Sequence, residues 1–531
     1  MARLTTFSKL IITILIVGIA ALLGKCAYDS PQVQDIINEQ TNKEKTTKVE
    51  SKGDDRSTSS KSSGNRSSSS SDDDLIKIGV VTWGGYAGGQ YFNEGFEANE
   101  RSRFYRDYGF KVQFEILDDF LASRKAFQNG EVDLLWATID AFPTEGQDMF
   151  NFDPVVLFQA DWSRGGDAIV VRRGISKVSD LRGKKIAVGE LSPSHSFLLW
   201  LLDAGGLTTK DVDLVFQPSA VDAAEVFKSG QVDAAVVWSP DDIGCVEAVP
   251  GSRVLESTKS ASHIIADVFV AKKDYVNNNK VMLSQLYEGW MKGAAEINLN
   301  DNNKKKAAKI LSENFSGFSE ADSYQAINNV RLATHGDNIN FFGLNREYKG
   351  VTGSSLYTRM TEVYKGLGFI EGRAPGWRSI SYPQLVESAN LQGVSHAAED
   401  APKFKKATAA DTKKEAIASK AVSINFRTGE FRLDENSKYI IDKEFVGIAQ
   451  AFGNSRIRIE GNTDNTGSRQ TNVALSEKRA QAVADYLISE HKMPRNRLIV
   501  VGNGPDQPLA SNDSESGRAK NRRTDFELVG Q

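Results

Sequence analysis

Cysteine is nearly absent from this 531-residue chain: Cys26 and Cys245 are the only two, set in unlike surroundings, so no disulfide framework is implied. Histidine is as sparse. His195, His263, His335, His396 and His491 lack the paired spacing of a zinc site, and neither a metal nor a cofactor is expected. No lysine and arginine stripe is apparent and the net charge is -4, which removes the concentrated basic face that nucleic acid needs. A nucleophile elbow, a phosphate loop and a paired-histidine motif are all missing, which argues against an enzyme.

What is present is enough length for two to four domains and 40% hydrophobic residues to fill their cores. Arg3 and Lys9 precede an apolar run at 10–23, closed by Gly24 and Lys25, in the order of an export signal. No small-x-small cleavage site follows, and Lys25 stands before Cys26 where a lipoprotein signal needs a small residue. The expectation is an uncleaved signal anchor or transmembrane helix over 1–28, holding the chain in the inner membrane on the periplasmic side of a bacterial envelope. Lipidation at Cys26 and secretion to the periplasm are the alternatives. Residues 29–74 are rich in Ser, Lys and Asp, with an unbroken serine run at 67–71, and cannot bury a core. They are predicted to be a disordered linker whose most serine-rich ~30 residues reach ~30 Å on average.

From 75 to 391 strands alternate with helices. The β-branched run at 76–81 leads into Thr82-Trp83-Gly84-Gly85-Tyr86, and further buried strands are predicted at 132–136, 167–172, 185–188, 232–238 and 264–270. This alternation predicts an α/β fold of two lobes, with ligands bound outside the carboxyl ends of strands. The loops at Trp83, Thr138, Ser194 and Trp238 are therefore the candidate binding positions. A helix starting at Ser194 offers free backbone N–H groups and serine hydroxyls to an oxyanion, while the plainer use of Ser192 or Ser194 is to cap that helix. Trp83, Tyr86 and Trp238 are candidates for cleft walls or for ordinary core. His195 is a candidate anion donor or a solvent-facing residue, and Asp167 and Asp267 are hinge residues, amine-binding residues or surface charges. Residues 275–391 are predicted to be mostly helical.

The segments Asp161-Trp162-Ser163-Arg164-Gly165-Gly166-Asp167, Asp180-Leu181-Arg182-Gly183-Lys184 and Asp233-Ala234-Ala235-Val236-Val237-Trp238-Ser239-Pro240 occur in an order that resembles the periplasmic substrate-binding proteins of nitrate, taurine and alkanesulfonate importers. The resemblance implies a bilobal periplasmic-binding-protein fold with two crossings between lobes, placed near Asp167 and Asp267, and a second lobe over about 174–262. It implies a small-molecule solute, anionic or sulfonate-like, and an ABC importer permease as partner.

After a predicted linker at 392–421, residues 422–531 show a strand at 424–426, helices at 437–452 and 476–489, and strands at 456–460, 497–501 and 524–529. The order predicts a separate βαβαβ two-layer domain. It carries Gly461-Asn462-Thr463-Asp464-Asn465-Thr466-Gly467, then Asn472, Arg479-Ala480 and Gly517-Arg518-Ala519-Lys520-Asn521-Arg522-Arg523, and is similar to the OmpA-like peptidoglycan-binding domain. The resemblance implies that Asp464 and Arg479 grip the diaminopimelate of the peptide stem, with Thr463, Asn472, Asn521 and Arg522 completing the shell. A carboxylate for the ammonium and a guanidinium for the carboxylate of that zwitterion is sensible chemistry. A purely structural Asp464–Arg479 salt bridge is the alternative. The whole reads as a solute receptor tethered to membrane and wall, or as a wall-to-membrane linker whose binding lobes are repurposed.

Overall fold

The computed structural model describes residues 74–530 apart from 425 and 428, so the expected anchor and serine-rich linker, with Cys26, lie outside the described residues. Among the described residues no helix is long and apolar enough to cross a membrane.

Buried apolar runs make the first sheet. Strands β1 (Leu75–Val80), β2 (Lys111–Ile116) and β3 (Leu134–Thr138) are parallel, joined by helices, and all five residues of β3 are buried, as a strand covered on both faces requires. The ten-residue β4 (Pro154–Ser163) is buried throughout. The chain then leaves this sheet through 164–166 and builds a second one from β5 (Asp167–Val171), β6 (Lys185–Gly189), β7 (Asp213–Gln217), β8 (Ala234–Trp238) and β9 (Arg253–Ser257). It returns through 258–265 into β10 (Ala266–Lys272) and later β11 (Val330–Leu332). The first sheet has the order β11-β4-β10-β3-β1-β2 and the second β7-β6-β8-β5-β9, each mixing parallel and antiparallel pairs. Between 273 and 388 the chain is mostly helical, with β11 as a strand that the sequence reading did not place. The longest of these helices, Lys280–Leu299, drives Trp290 under the first sheet, where it meets Phe269 at 4.7 Å, Phe158 at 5.2 Å and Phe114 at 5.8 Å. Aromatic contacts of this kind add to the area they bury.

The C-terminal sheet comprises β12 (Ala418–Val422), β13 (Arg456–Asn462), β14 (Leu498–Gly504) and β15 (Thr524–Val529) in the order β12-β15-β13-β14. One layer of helices covers it, with Phe445 stacked on Phe526 at 3.9 Å. Two expectations shift here. Among the described residues the first strand is Ala418–Val422, mostly inside the segment read as a linker, while the strand expected at 424–426 includes residue 425, which lies outside the described residues. The alternation of Ala418–Val422 was hidden because Lys420 is half of an ion-pair network, bonding Asp203 at 2.7 Å and Glu444 at 3.4 Å. A helix at Glu515–Asn521 was also not foreseen.

This domain is seated on both lobes. Val178 N–H donates to Ile417 O at 2.8 Å on the second lobe, and His263 N–H donates to Ala451 O at 3.0 Å on the returning crossing. A cavity of about 300 Å³ runs along the seam, lined by residues that include Trp162, His263, Phe404 and Arg497.

Candidate functional site

The two crossings deliver one acid each to the space between the sheets. Asp167 opens β5 and pairs with Trp238, the last residue of β8. Asp267 sits at the start of β10 and pairs with Thr138, the last residue of β3, and on its other side with Asp161 of β4. The loop after β1 adds Trp83 and Tyr86. These six predicted residues, Trp83, Tyr86, Thr138, Asp167, Trp238 and Asp267, line one cavity of about 20 Å³ together with Val81, Trp136, Pro193 and Ile265. Such a volume holds one or two water-sized groups.

Close packing fixes the walls. Trp83 Nε1 donates to Asp161 Oδ2 at 2.9 Å. A Cβ on Gly166 would lie 2.1 Å from the Trp83 ring, and one on Gly85 would lie 1.2 Å from Asp161 Oδ2, so glycine is required at both. Phe120 holds Trp136 at 5.1 Å and Trp238 at 6.1 Å from behind. Tyr86 is fully buried with its ring edge-on to Phe269 at 5.3 Å, and its hydroxyl has no partner.

The electrostatics are one-sided. Asp167 Oδ2 accepts from Ser163 Oγ at 2.7 Å, while Oδ1 is buried without a partner. Asp161 Oδ1 and both oxygens of Asp140 are likewise unpartnered. Burial pushes the Asp167 carboxyl up to about 7, against the hydrogen bonds from Ser163 and Trp238, and pushes Asp140 up to about 8. Asp161 and Asp267 titrate together. Burial raises both, and repulsion from Asp161, Asp140 and Asp167 raises Asp267 further. No lysine or arginine lines the cavity. Arg124 lies over the Trp136 ring at 4.7 Å but spends its charge on Glu145 at 2.5 Å, and Arg164 pairs with Glu399 at 2.7 Å.

Ser194 and His195 require correction. The helix Pro193–Ala204 touches the cavity through Pro193, while Ser194 and His195 are fully buried elsewhere. The His195 ring packs edge-on against Phe216 at 5.2 Å and against Tyr364 and Phe369 at 5.4 Å each, and burial takes it down to about 4. It is therefore not solvent-facing, and it does not line the cavity. The capping alternative also fails for Ser192, whose hydroxyl donates back to Gly189 O at 2.7 Å and caps no helix N–H. Asp140, Asp161 and Trp136 were missed as site residues. Asp161 stood in a quoted motif, yet only the register opposite Asp267 gives it a role.

On the C-terminal domain the loop after β13 presents Asp464 ahead of the helix Arg469–Ser489. Asp464 Oδ1 accepts from Thr466 N–H at 2.9 Å and Oδ2 from Arg522 Nη1 at 2.7 Å. Partial burial pushes that carboxyl up, but the bonds from Arg522 and Thr466 outweigh it and hold it below the usual range. Arg479 makes no direct bond to Asp464. Its Nε donates to Glu430 O at 3.0 Å and its guanidinium lies over Phe426 at 4.8 Å. The salt-bridge alternative thus does not describe the pair. Asn472 Nδ2 donates to the carbonyls of Thr466 at 3.0 Å and Asp464 at 3.3 Å, and Thr463 Oγ1 donates to Asp464 O at 2.8 Å, so both shape the loop. Asn521 is a correction. It is fully buried, accepting from the N–H groups of Leu509 and Ala510 and donating to Ala510 O and Asn512 Oδ1, which saturates its amide.

By architecture, this is a two-lobed α/β domain followed by a two-layer α/β domain. Residues 103–323 match the family described as "ABC transporter, phosphonate, periplasmic substrate-binding protein", and residues 425–522 match the OmpA family. The chain thus carries a segment similar to the phosphonate periplasmic substrate-binding family ahead of one similar to the OmpA family. The latter is 43% identical over 105 residues to outer membrane protein Omp38 of Acinetobacter baumannii, 20% of this chain and 29% of that one. It is 37% identical over 101 residues to the putative lipoprotein YfiB of Escherichia coli, 19% of this chain and 62% of that one. It is also 45% identical over 77 residues to the peptidoglycan-binding protein ArfA of Mycobacterium tuberculosis, 14% and 23% of the two chains. The chain thus spans less than a third of Omp38. Among solved structures, the aliphatic sulphonate binding protein SsuA of Escherichia coli aligns over 59% of this chain and 99% of its own, with 17% identity and a TM-score of 0.45.

Proposed function

We propose that the protein is a solute-binding receptor fixed to the bacterial cell wall, with no catalytic role. The cleft binds a small molecule and the C-terminal domain holds the diaminopimelate-containing stem of peptidoglycan. The observation that carries this reading is the cavity between the two sheets, walled by residues that both chain crossings bring in. A site placed between lobes couples occupancy to their closure, which a permease or signalling partner can then recognise. On the C-terminal domain, Asp464 held ionised by Arg522 and Arg479 poised on the adjoining helix are one acceptor and one donor for a zwitterion. In this reading the N-terminal segment anchors the receptor at the inner membrane, with lipidation at Cys26 or secretion as the alternatives, and tethering raises its concentration near its partner without changing intrinsic affinity.

The test is thermal stabilisation of the purified chain by a panel of sulfonates, phosphonates, nitrate, carboxylates and amines. Stabilisation by a panel member is expected. Its absence across the panel would favour a wall-to-membrane linker over a receptor.

A further inference from the structure

The cavity between the sheets is built for a positive group. Its polar lining is Thr138, the unpartnered Tyr86 hydroxyl and Trp136 ring N–H, and the carboxyls of Asp167 and Asp267, backed by Asp161 and Asp140. Four acids this deeply buried, without a lysine or arginine among the residues lining the space, leave a desolvation cost that Arg164, acting on Asp161 while paired with Glu399, offsets only in part. Four aromatic rings, Trp83, Tyr86, Trp136 and Trp238, wall the same space, and aromatic faces attract desolvated cations. An oxyanion would meet repulsion from every charged group there. The start of the Pro193–Ala204 helix, which could have compensated, presents proline to the cavity.

We propose that this cavity binds the ammonium group of an organic solute, with Asp167 and Asp267 as its counter-charges and Trp83, Tyr86 and Trp238 as its walls. Asp167 Oδ1, buried and without a well-formed hydrogen bond although the Trp238 ring N–H stands near the carboxyl, is the acceptor for an N–H donor or an onium charge. A volume of about 20 Å³ matches a small head group and not a bulky molecule. A bare metal ion is the poorer fit, because aromatic walls supply no ligands and among the described residues no group of His, Cys, Asp and Glu is placed to hold one. The inference rests on the receptor reading and specifies which group of the solute enters the cleft. The same ammonium chemistry could come from a simple amine or from an amine that also carries a sulfonate.

Isothermal titration of the full-length chain at pH 8 with methylammonium, taurine and methanesulfonate separates these cases. Binding of methylammonium or taurine without methanesulfonate is expected, methylammonium marking the simple amine and taurine alone the amino sulfonate. The affinity should fall at least tenfold in both Asp167→Asn and Asp267→Asn. Because each Asn variant relieves a buried carboxyl, an unchanged circular dichroism spectrum is expected. Proton release on binding, read by repeating the titration in two buffers of different ionisation enthalpy, is the second readout, since a cation draws the carboxyls into their charged form. Binding of methanesulfonate without either amine overturns the ammonium assignment and leaves the receptor reading intact. So does undiminished amine binding by the Asn variants. No binding by any of the three, together with no stabilisation across the wider panel, overturns both.

Discussion

Asp167 opens β5 directly opposite Trp238, the last residue of β8, so an acid carried in by the first crossing and a ring at the end of a strand share one wall of the cleft. Neither residue is close to the other in the sequence. The pairing of β5 with β8 is what brings these two residues to one cavity, and the same holds for Asp267 and Thr138 in the first sheet.

Asp167 should make the unliganded protein less stable as pH rises. Its folded pKa, about 7, lies above the ordinary carboxyl value of 3.8, so between those pH values the native state holds a proton that the unfolded state has released. Stability from this group is full below pH 4 and is lost as pH climbs through about 7. Asp140, Asp161 and Asp267 face the same space and act in the same direction, Tyr86 stays neutral, and Arg124 and Arg164 are paired elsewhere. The measurement is the melting temperature of Asp167→Asn against wild type from pH 5 to pH 8. The variant should gain on the wild type as pH rises, by on the order of 2–4 kcal/mol in all. A gap that does not change with pH would contradict the burial argument.

His195 should show the opposite slope and no effect on the solute. Burial lowers it to about 4 from 6.5, so the unfolded chain takes up a proton between those values and native stability falls as pH drops through them. In His195→Leu that loss disappears, and the variant should overtake the wild type progressively from pH 7 to pH 4. Solute affinity should stay within about twofold of wild type at pH 8, because the residue does not line the cavity.

Gly166→Ala should damage the site more than the fold. The new methyl would meet the Trp83 ring at 2.1 Å, forcing the ring off its bond with Asp161. Solute affinity is expected to drop at least tenfold, while overpacking lowers stability by about 1–3 kcal/mol. Tryptophan emission reports the ring movement, and an unshifted spectrum with wild-type affinity would show the contact to be unimportant.

Asn521 and Arg479 should separate structure from binding on the C-terminal domain. Asn521→Ala leaves the Leu509 and Ala510 N–H groups without their acceptor and should cost about 1–3 kcal/mol or more. Arg479→Ala gives up two carbonyl contacts at a half-exposed position and should melt near wild type. A comparison of chemical denaturation midpoints distinguishes them, and a large loss for Arg479→Ala with none for Asn521→Ala would reverse their roles.

Buried parallel strands and glycine turns are local signals, which is why the α/β architecture and the places where strands end could be read from residues such as Leu134, Val236 and Trp238. The sign of the cleft could not be read in that way. Asp140, the segment from Asp161 to Asp167, and Asp267 are apart in the sequence, and only the strand registers and the returning crossing bring them together. His195 was misjudged for the same reason, since Phe369, which covers it, lies far downstream. Lys420 concealed a strand because a charge that looks solvent-facing is bonded across the seam to Asp203. Asn521 looked like a ligand donor because saturation of its amide depends on the fold of the 509–512 loop.

Co-sedimentation of the purified full-length chain with isolated diaminopimelate-containing sacculi tests the wall-fixed receptor most directly. The chain is expected in the pellet, and Asp464→Ala and Arg479→Ala, with unchanged circular dichroism, in the supernatant. A wild-type chain that stays in solution, or variants that pellet as well as it does, would contradict the account.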